Sequence, residues 1–125
     1  MNIVLAVAAA SEAAMGLALL VYPPIVIRLL LGAEIAGVAD VVGRFAGIAL
    51  IGLGIACWPN GSARQLYGML TYGTLAALYL AYVGLSGQGG GVLLSPAVVV
   101  HALLIVLLLR ARQEHEATEI TENEF

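Results

Sequence analysis

Read from its first residue, the chain is a series of long apolar runs separated by short clusters of polar, proline or glycine residues. The first run, residues 2–22, is broken in polarity along its length only by Ser11 and Glu12, and Pro23-Pro24 stops it. Proline has no backbone N–H to donate, and its ring clashes with the preceding turn. Residues 38–58 form a second run closed by the turn sequence Pro59-Asn60-Gly61-Ser62, residues 65–85 a third and residues 92–109 a fourth. Each is close to the roughly 20 apolar residues that a helix needs to cross a bilayer, so the pattern predicts four transmembrane helices. Residues 24–31 are too apolar for an aqueous loop and too short to cross. With Pro24 suited to a first turn and Gly32 to a helix end, they predict a short interfacial helix whose Arg28 snorkels towards the headgroups. The expected fold is all-α: a four-helix transmembrane bundle forming one domain over residues 1–112. An acidic tail, 113–125, extends the last helix by a turn or two before fraying.

Composition reinforces this pattern, since 62 % of the residues are hydrophobic and only 10 % are charged, well outside the range of water-soluble domains. At 125 residues, four crossings leave no room for a separate soluble domain. The first run has no Lys or Arg before Arg28, so it lacks the basic start of a secretory signal and is expected to be retained. The run Ser86-Gly87-Gln88-Gly89-Gly90-Gly91 lacks the Lys and Ser or Thr of a phosphate loop and leads into an apolar crossing, which makes it a flexible connection.

Charge excludes several classes of partner. There is no Lys, and the five Arg are scattered, so neither nucleic acid nor a polybasic lipid-binding segment is expected. Residues 110–125 hold two Arg against five Glu and carry the whole net charge of −3. Arg64, Arg110 and Arg112 fall on one side of four crossings and Arg28 on the other, which places both termini in the cytoplasm. Cys57 is the single cysteine, so thiol–disulfide exchange within the chain is not expected.

Lipid is as apolar as leucine, so membrane helices associate through close packing of small residues and through polar contacts. Ala6, Ala10, Ala14 and Ala18, the Gly43/Gly47 pair, and Gly73, Ala77 and Ala81 are such stripes. They serve as seams within the chain, or as a face for a second copy. Tyr72 and Tyr79, seven residues apart, project the same way from the third helix, towards a polar group in the bundle or towards a partner.

Glu12, Arg44 and His101 are the ionisable residues placed at membrane depth, where such groups face the bundle interior and have a partner or a task. By a rise of about 1.5 Å per residue, Glu12 and His101 lie about 15 and 14 Å from the same membrane face and Arg44 about 9 Å, so the three depths allow contact. Two readings stay open: a structural cluster, including a simple Arg44–Asp40 pair at i, i+4, and a ligand or proton site formed by Glu12, Arg44 and His101 with Tyr72 and Tyr79. One membrane histidine, one cysteine and His115 in the tail do not supply the ligands of a zinc site, and no second axial ligand accompanies His101 for haem. No metal, cofactor or catalytic constellation is expected.

Taken together, Tyr22-Pro23-Pro24, Ile27-Arg28-Leu29-Leu30-Leu31-Gly32, Gly43-Arg44 with Gly47, Gly52-Leu53-Gly54, Cys57-Trp58 and Pro96 ahead of His101 resemble small four-helix bacterial inner-membrane proteins of the DoxX-like group. That resemblance implies a bacterial inner-membrane location and an accessory role in a redox-linked membrane complex. The expected function is a non-enzymatic accessory or scaffold subunit, with another membrane protein or a second copy of the chain as partner. The alternative is binding of a quinone, a lipid or another small hydrophobic molecule, or of a proton, at the Glu/Arg/His cluster.

Overall fold

The computed structural model describes residues 2–124; Met1, Phe125 and the side chains of Asn2 and His115 lie outside the described set. The described residues form five helices and no strand: α1 (Asn2–Val21), α2 (Pro23–Leu31), α3 (Val38–Ala56), α4 (Ala63–Leu85) and α5 (Leu94–Asn123). All but α2 are long and apolar enough to cross a membrane. Their outward faces are apolar too: Ile3 and Val38 are 80 % exposed and Leu85 91 %, which water would penalise and lipid would not.

The α1/α2 break follows from Pro23 and Pro24. The Tyr22 amide still closes the last turn on the Ala18 carbonyl (3.0 Å), the prolines cannot continue the ladder, and both then occupy the first turn of α2, where a missing N–H costs nothing. Helix α2 ends at Gly32 in the left-handed conformation (φ 71°), with its amide donating to the Arg28 carbonyl. Ser62 starts α4 two residues earlier than the apolar run implies, its side chain accepting from the Arg64 amide.

Two segments differ from expectation. The glycine run is a built cap: the amides of Gly90, Gly91 and Leu93 donate to the carbonyls of Leu31, Leu30 and Leu29 at 2.8, 3.0 and 2.8 Å. The last carbonyls of α2, orphaned as at any helix end, thereby find partners. Glycine is needed because a Cβ on Gly91 would overlap the Leu29 carbonyl, and one on Gly32 would lie 2.6 Å from the Gly90 carbonyl oxygen. The acidic tail, expected to fray, is helical through Asn123. Ala, Glu, Gln and Arg favour the helix. Arg112 pairs with Glu116 one turn on (2.9 Å), and the Thr118 and Thr121 hydroxyls donate to the carbonyls of Glu114 and Ala117.

Helix α1 packs along α3, and α4 along α5; α1 also touches α2, α4 and α5. The tightest apolar core lies towards the start of α1, where Leu5, Ala8 and Ala9 meet Cys57, Leu66, Met69 and Leu108.

Candidate functional site

Glu12 is the buried charged residue among those described, 6 % exposed. It projects from α1 towards α5 and α4. Its Oε1 lies 3.3 Å from Nε2 of His101 on α5, and both side chains are largely buried (8 % and 17 % exposed). The two atoms are in close contact without a well-aligned hydrogen bond. On the other edge of the imidazole, Nδ1 is 2.8 Å from the Ala97 carbonyl. A carbonyl only accepts, so Nδ1 carries a proton. From α4, Tyr72 comes near enough to Glu12 to interact with it electrostatically, and its ring lies against His101 at 6.3 Å between centroids, tilted by 58°.

Beside this group is a cavity of about 230 Å³ between α1, α2 and α5, lined by Ser11, Glu12, Met15, Val26, Leu30, Ala97 and His101 among others. Its walls are almost wholly apolar, apart from the carboxyl, the imidazole and the Ser11 hydroxyl. That hydroxyl is committed to the Val7 carbonyl at 2.7 Å.

The structure thus brings Glu12, His101 and Tyr72 together and leaves Arg44 and Tyr79 elsewhere. Arg44 donates from Nη1 to the Leu20 carbonyl (2.8 Å) and from Nε to Asp40 (3.1 Å). In an uninterrupted helix the Leu20 carbonyl would accept from residue 24, which here is Pro24. Arg44 supplies the donor that proline lacks, at the negative end of the α1 dipole, some eight residues, or about 12 Å, from Glu12. The expected Glu12–Arg44 contact is therefore absent. Tyr79, about 10 Å beyond Tyr72 along α4, is 64 % exposed and stacks on Tyr82 at 6.5 Å. Both tyrosines leave the same side of the helix, but Tyr72 is half-buried there and Tyr79 is exposed.

Sequence reading did not single out Ala97, whose carbonyl orients His101, nor the part of α2 in the cavity wall. The i, i+4 spacing from Ala97 to His101 was a usable signal for the first. Val26 and Leu30 carried none, because an apolar residue facing lipid and one facing a cavity look alike in sequence. Among the described residues no three His, Cys, Asp or Glu side chains converge as metal ligands would.

One consequence can be tested directly. Arg44→Gln is expected to cost about 1 kcal/mol, the weight of one partly exposed hydrogen bond and ion pair, and to add without coupling to the loss from Glu12→Gln, since the two share no partner. Unfolding midpoints of the wild type, both single variants and the double variant check this; a double loss well below the sum would place Arg44 at the Glu12 site after all.

The chain matches no family model, no curated protein and no solved structure. What defines it is its own architecture: an all-helical chain with four helices of membrane-crossing length and apolarity, carrying a buried acid–imidazole–phenol group.

Proposed function

We propose that this chain is a multi-pass membrane protein that binds a small, mainly apolar molecule in the cavity beside Glu12 and His101. In this reading α1, α3, α4 and α5 cross the bilayer as a bundle and α2 lies along the interface. Both ends of the chain lie on the cytoplasmic side, where Arg64, Arg110 and Arg112 outnumber Arg28 and Arg44. The observation that carries the binding role is the placement of a nine-tenths-buried carboxyl and its imidazole partner on an apolar cavity of about 230 Å³. Ligand sites have this form, apolar walls with a few convergent polar groups, and a purely structural polar pair has no need of an open space beside it. An ionisable residue kept at membrane depth is a costly feature, usually tied to a task. The cavity, and not likeness to the DoxX-like group, supports this role.

The test compares the wild type with Ala97→Leu, which fills the cavity from its wall and leaves Glu12 and His101 in place. Purified from native membranes in mild detergent, the wild type is expected to retain a small organic molecule, seen by mass spectrometry after extraction, and Ala97→Leu to retain less than about a tenth as much, the loss expected from a site blocked by at least 1.4 kcal/mol. Equal retention would remove the cavity from consideration. A stoichiometric membrane protein held equally by both, with no small molecule, would instead favour an accessory subunit.

A further inference from the structure

A second site lies at the end of α2, apart from the Glu12 cavity. The links from α1 to α3 and from α4 to α5, residues 22–37 and 86–93, hold two charged residues, Arg28 and Glu34. Arg28 leaves the last turn of α2. Glu34 stands in the link to α3, which turns at Gly32 and again at Gly37, both at positive φ (71° and 61°). Arg28 Nη1 and Glu34 Oε1 come to 3.9 Å of each other, an ionic contact beyond hydrogen-bond length. Among the described residues neither side chain makes a hydrogen bond. Both are largely exposed, and so exposed a pair contributes little to folding. Both also border one cavity of about 310 Å³, whose other walls are Tyr22, Pro24, Ile25 and Ile35. A cationic donor and an anionic acceptor thus stand side by side in a cavity with apolar walls.

We propose, resting on the membrane placement above, that this cavity binds the headgroup of a membrane phospholipid bearing a primary ammonium, as phosphatidylethanolamine does. Arg28 donates to the phosphate, whose oxygens suit the planar guanidinium fork, and Glu34 accepts from the ammonium. The headgroup carries its anion and its cation one ethylene link apart, so it lies antiparallel to the Arg–Glu pair with each charge against its opposite. Selectivity follows from the same two residues. A choline headgroup keeps the phosphate but has no N–H to give Glu34. A glycerol headgroup keeps the phosphate without a cation, which sets two anions, its phosphate and Glu34, side by side. Size permits the fit: an apolar cavity of about 150 Å³ holds benzene, a phosphoethanolamine group is only somewhat larger than that ring, and this cavity has about 310 Å³. The walls point to a lipid and not to a soluble phosphoethanolamine, because Pro24, Ile25 and Ile35 offer apolar surface where the glycerol and chains of a lipid continue from its headgroup.

The experiment titrates the full chain, purified in mild detergent, with three dioleoyl lipids that differ only in headgroup: phosphatidylethanolamine, phosphatidylcholine and phosphatidylglycerol. Bound lipid is counted by native mass spectrometry. The first ethanolamine lipid is expected to bind about tenfold more tightly than either of the others, the weight of one charge-assisted hydrogen bond in a half-open site. Glu34→Gln should still bind lipid but lose most of that preference, and Arg28→Gln should weaken all three lipids by about tenfold. Both side chains are exposed, so both variants should unfold with the wild type, and the wild-type series decides headgroup selection without any variant. Equal binding of the three lipids overturns the proposal. An ethanolamine preference that survives in Glu34→Gln overturns Glu34 as the acceptor, and displacement of the lipid by an equal concentration of free phosphoethanolamine overturns a lipid source. A chain that stays in solution without detergent overturns the membrane placement itself, a failure separate from loss of headgroup selection.

Discussion

Gly47→Leu is expected to force α1 away from α3 and to cost more than about 3 kcal/mol, beyond the usual range for overpacked cores. A Cβ on Gly47 would lie 2.5 Å from the Gly16 carbonyl oxygen and 2.7 Å from the Leu20 amide nitrogen, and one on Gly16 would lie 2.6 Å from the Gly47 carbonyl oxygen. These neighbours are backbone atoms of a facing helix, so no side-chain rotation can relieve the overlap. Gly54 repeats the arrangement one step along, 2.6 Å from the Ala9 carbonyl oxygen by the same construction. Where helices are held by close packing rather than by expulsion from water, widening this seam removes most of what joins the pair. Gly52, with nothing within 4 Å of its Cβ position, is the control: Gly52→Ala should be neutral or stabilising by up to about 1 kcal/mol through helix propensity. Detergent-solubilised unfolding midpoints for the three proteins check this, and a Gly47→Leu protein that unfolds with the wild type would mean that the helices do not meet there.

The second large effect lies at Glu12 and His101. Glu12→Leu removes the acid in contact with the buried Nε2 of His101, and His101→Phe removes the imidazole beside the buried carboxyl, so each single change should cost about 1–3 kcal/mol. Glu12→Leu combined with His101→Phe removes both polar groups and replaces them with apolar ones, which is often nearly neutral for buried pairs. The double variant is accordingly expected to lose less than the sum of the singles by about 0.5–3 kcal/mol, the usual range of coupling between residues in contact. Unfolding in nanodiscs gives the cycle. Simple additivity would show that the 3.3 Å contact contributes nothing to folding.

The small-residue stripes on α1 and α3 illustrate how far sequence reached. Gly43 and Gly47 were readable as a seam because small residues recur at four-residue spacing, yet Gly43 meets Pro23 and Ile27 of α2, and the face of α1 that meets Gly47 and Gly54 is that of Ala9, Ala13 and Gly16 and not the Ala6, Ala10, Ala14 and Ala18 stripe. Two small stripes on one helix are equivalent in sequence; only the neighbour's position distinguishes them. Arg44 shows the same limit from the other side. Its depth allowed contact with Glu12, but a side chain that long has several partners in reach, and the unpaired Leu20 carbonyl left by Pro24 becomes a competitor only once α1 and α3 lie side by side.

What the residues determined alone were the local and one-dimensional properties: four helices of crossing length from the lengths of the apolar runs, the break at Pro23-Pro24 from the missing N–H, the stop at Gly32 from glycine's freedom to end a helix, and the selection of Glu12, Arg44, His101, Tyr72 and Tyr79 as polar groups out of place in apolar runs. These follow from periodicity, backbone chemistry and the cost of burying a polar group, all of which act over a few neighbouring residues. Tertiary structure decided which of those polar groups meet, that the glycine run caps α2 instead of swinging free, and that an apolar cavity opens beside the carboxyl. Each of these depends on residues far apart in the chain arriving within a few ångströms of one another, a property of how helices pack and not of any one helix.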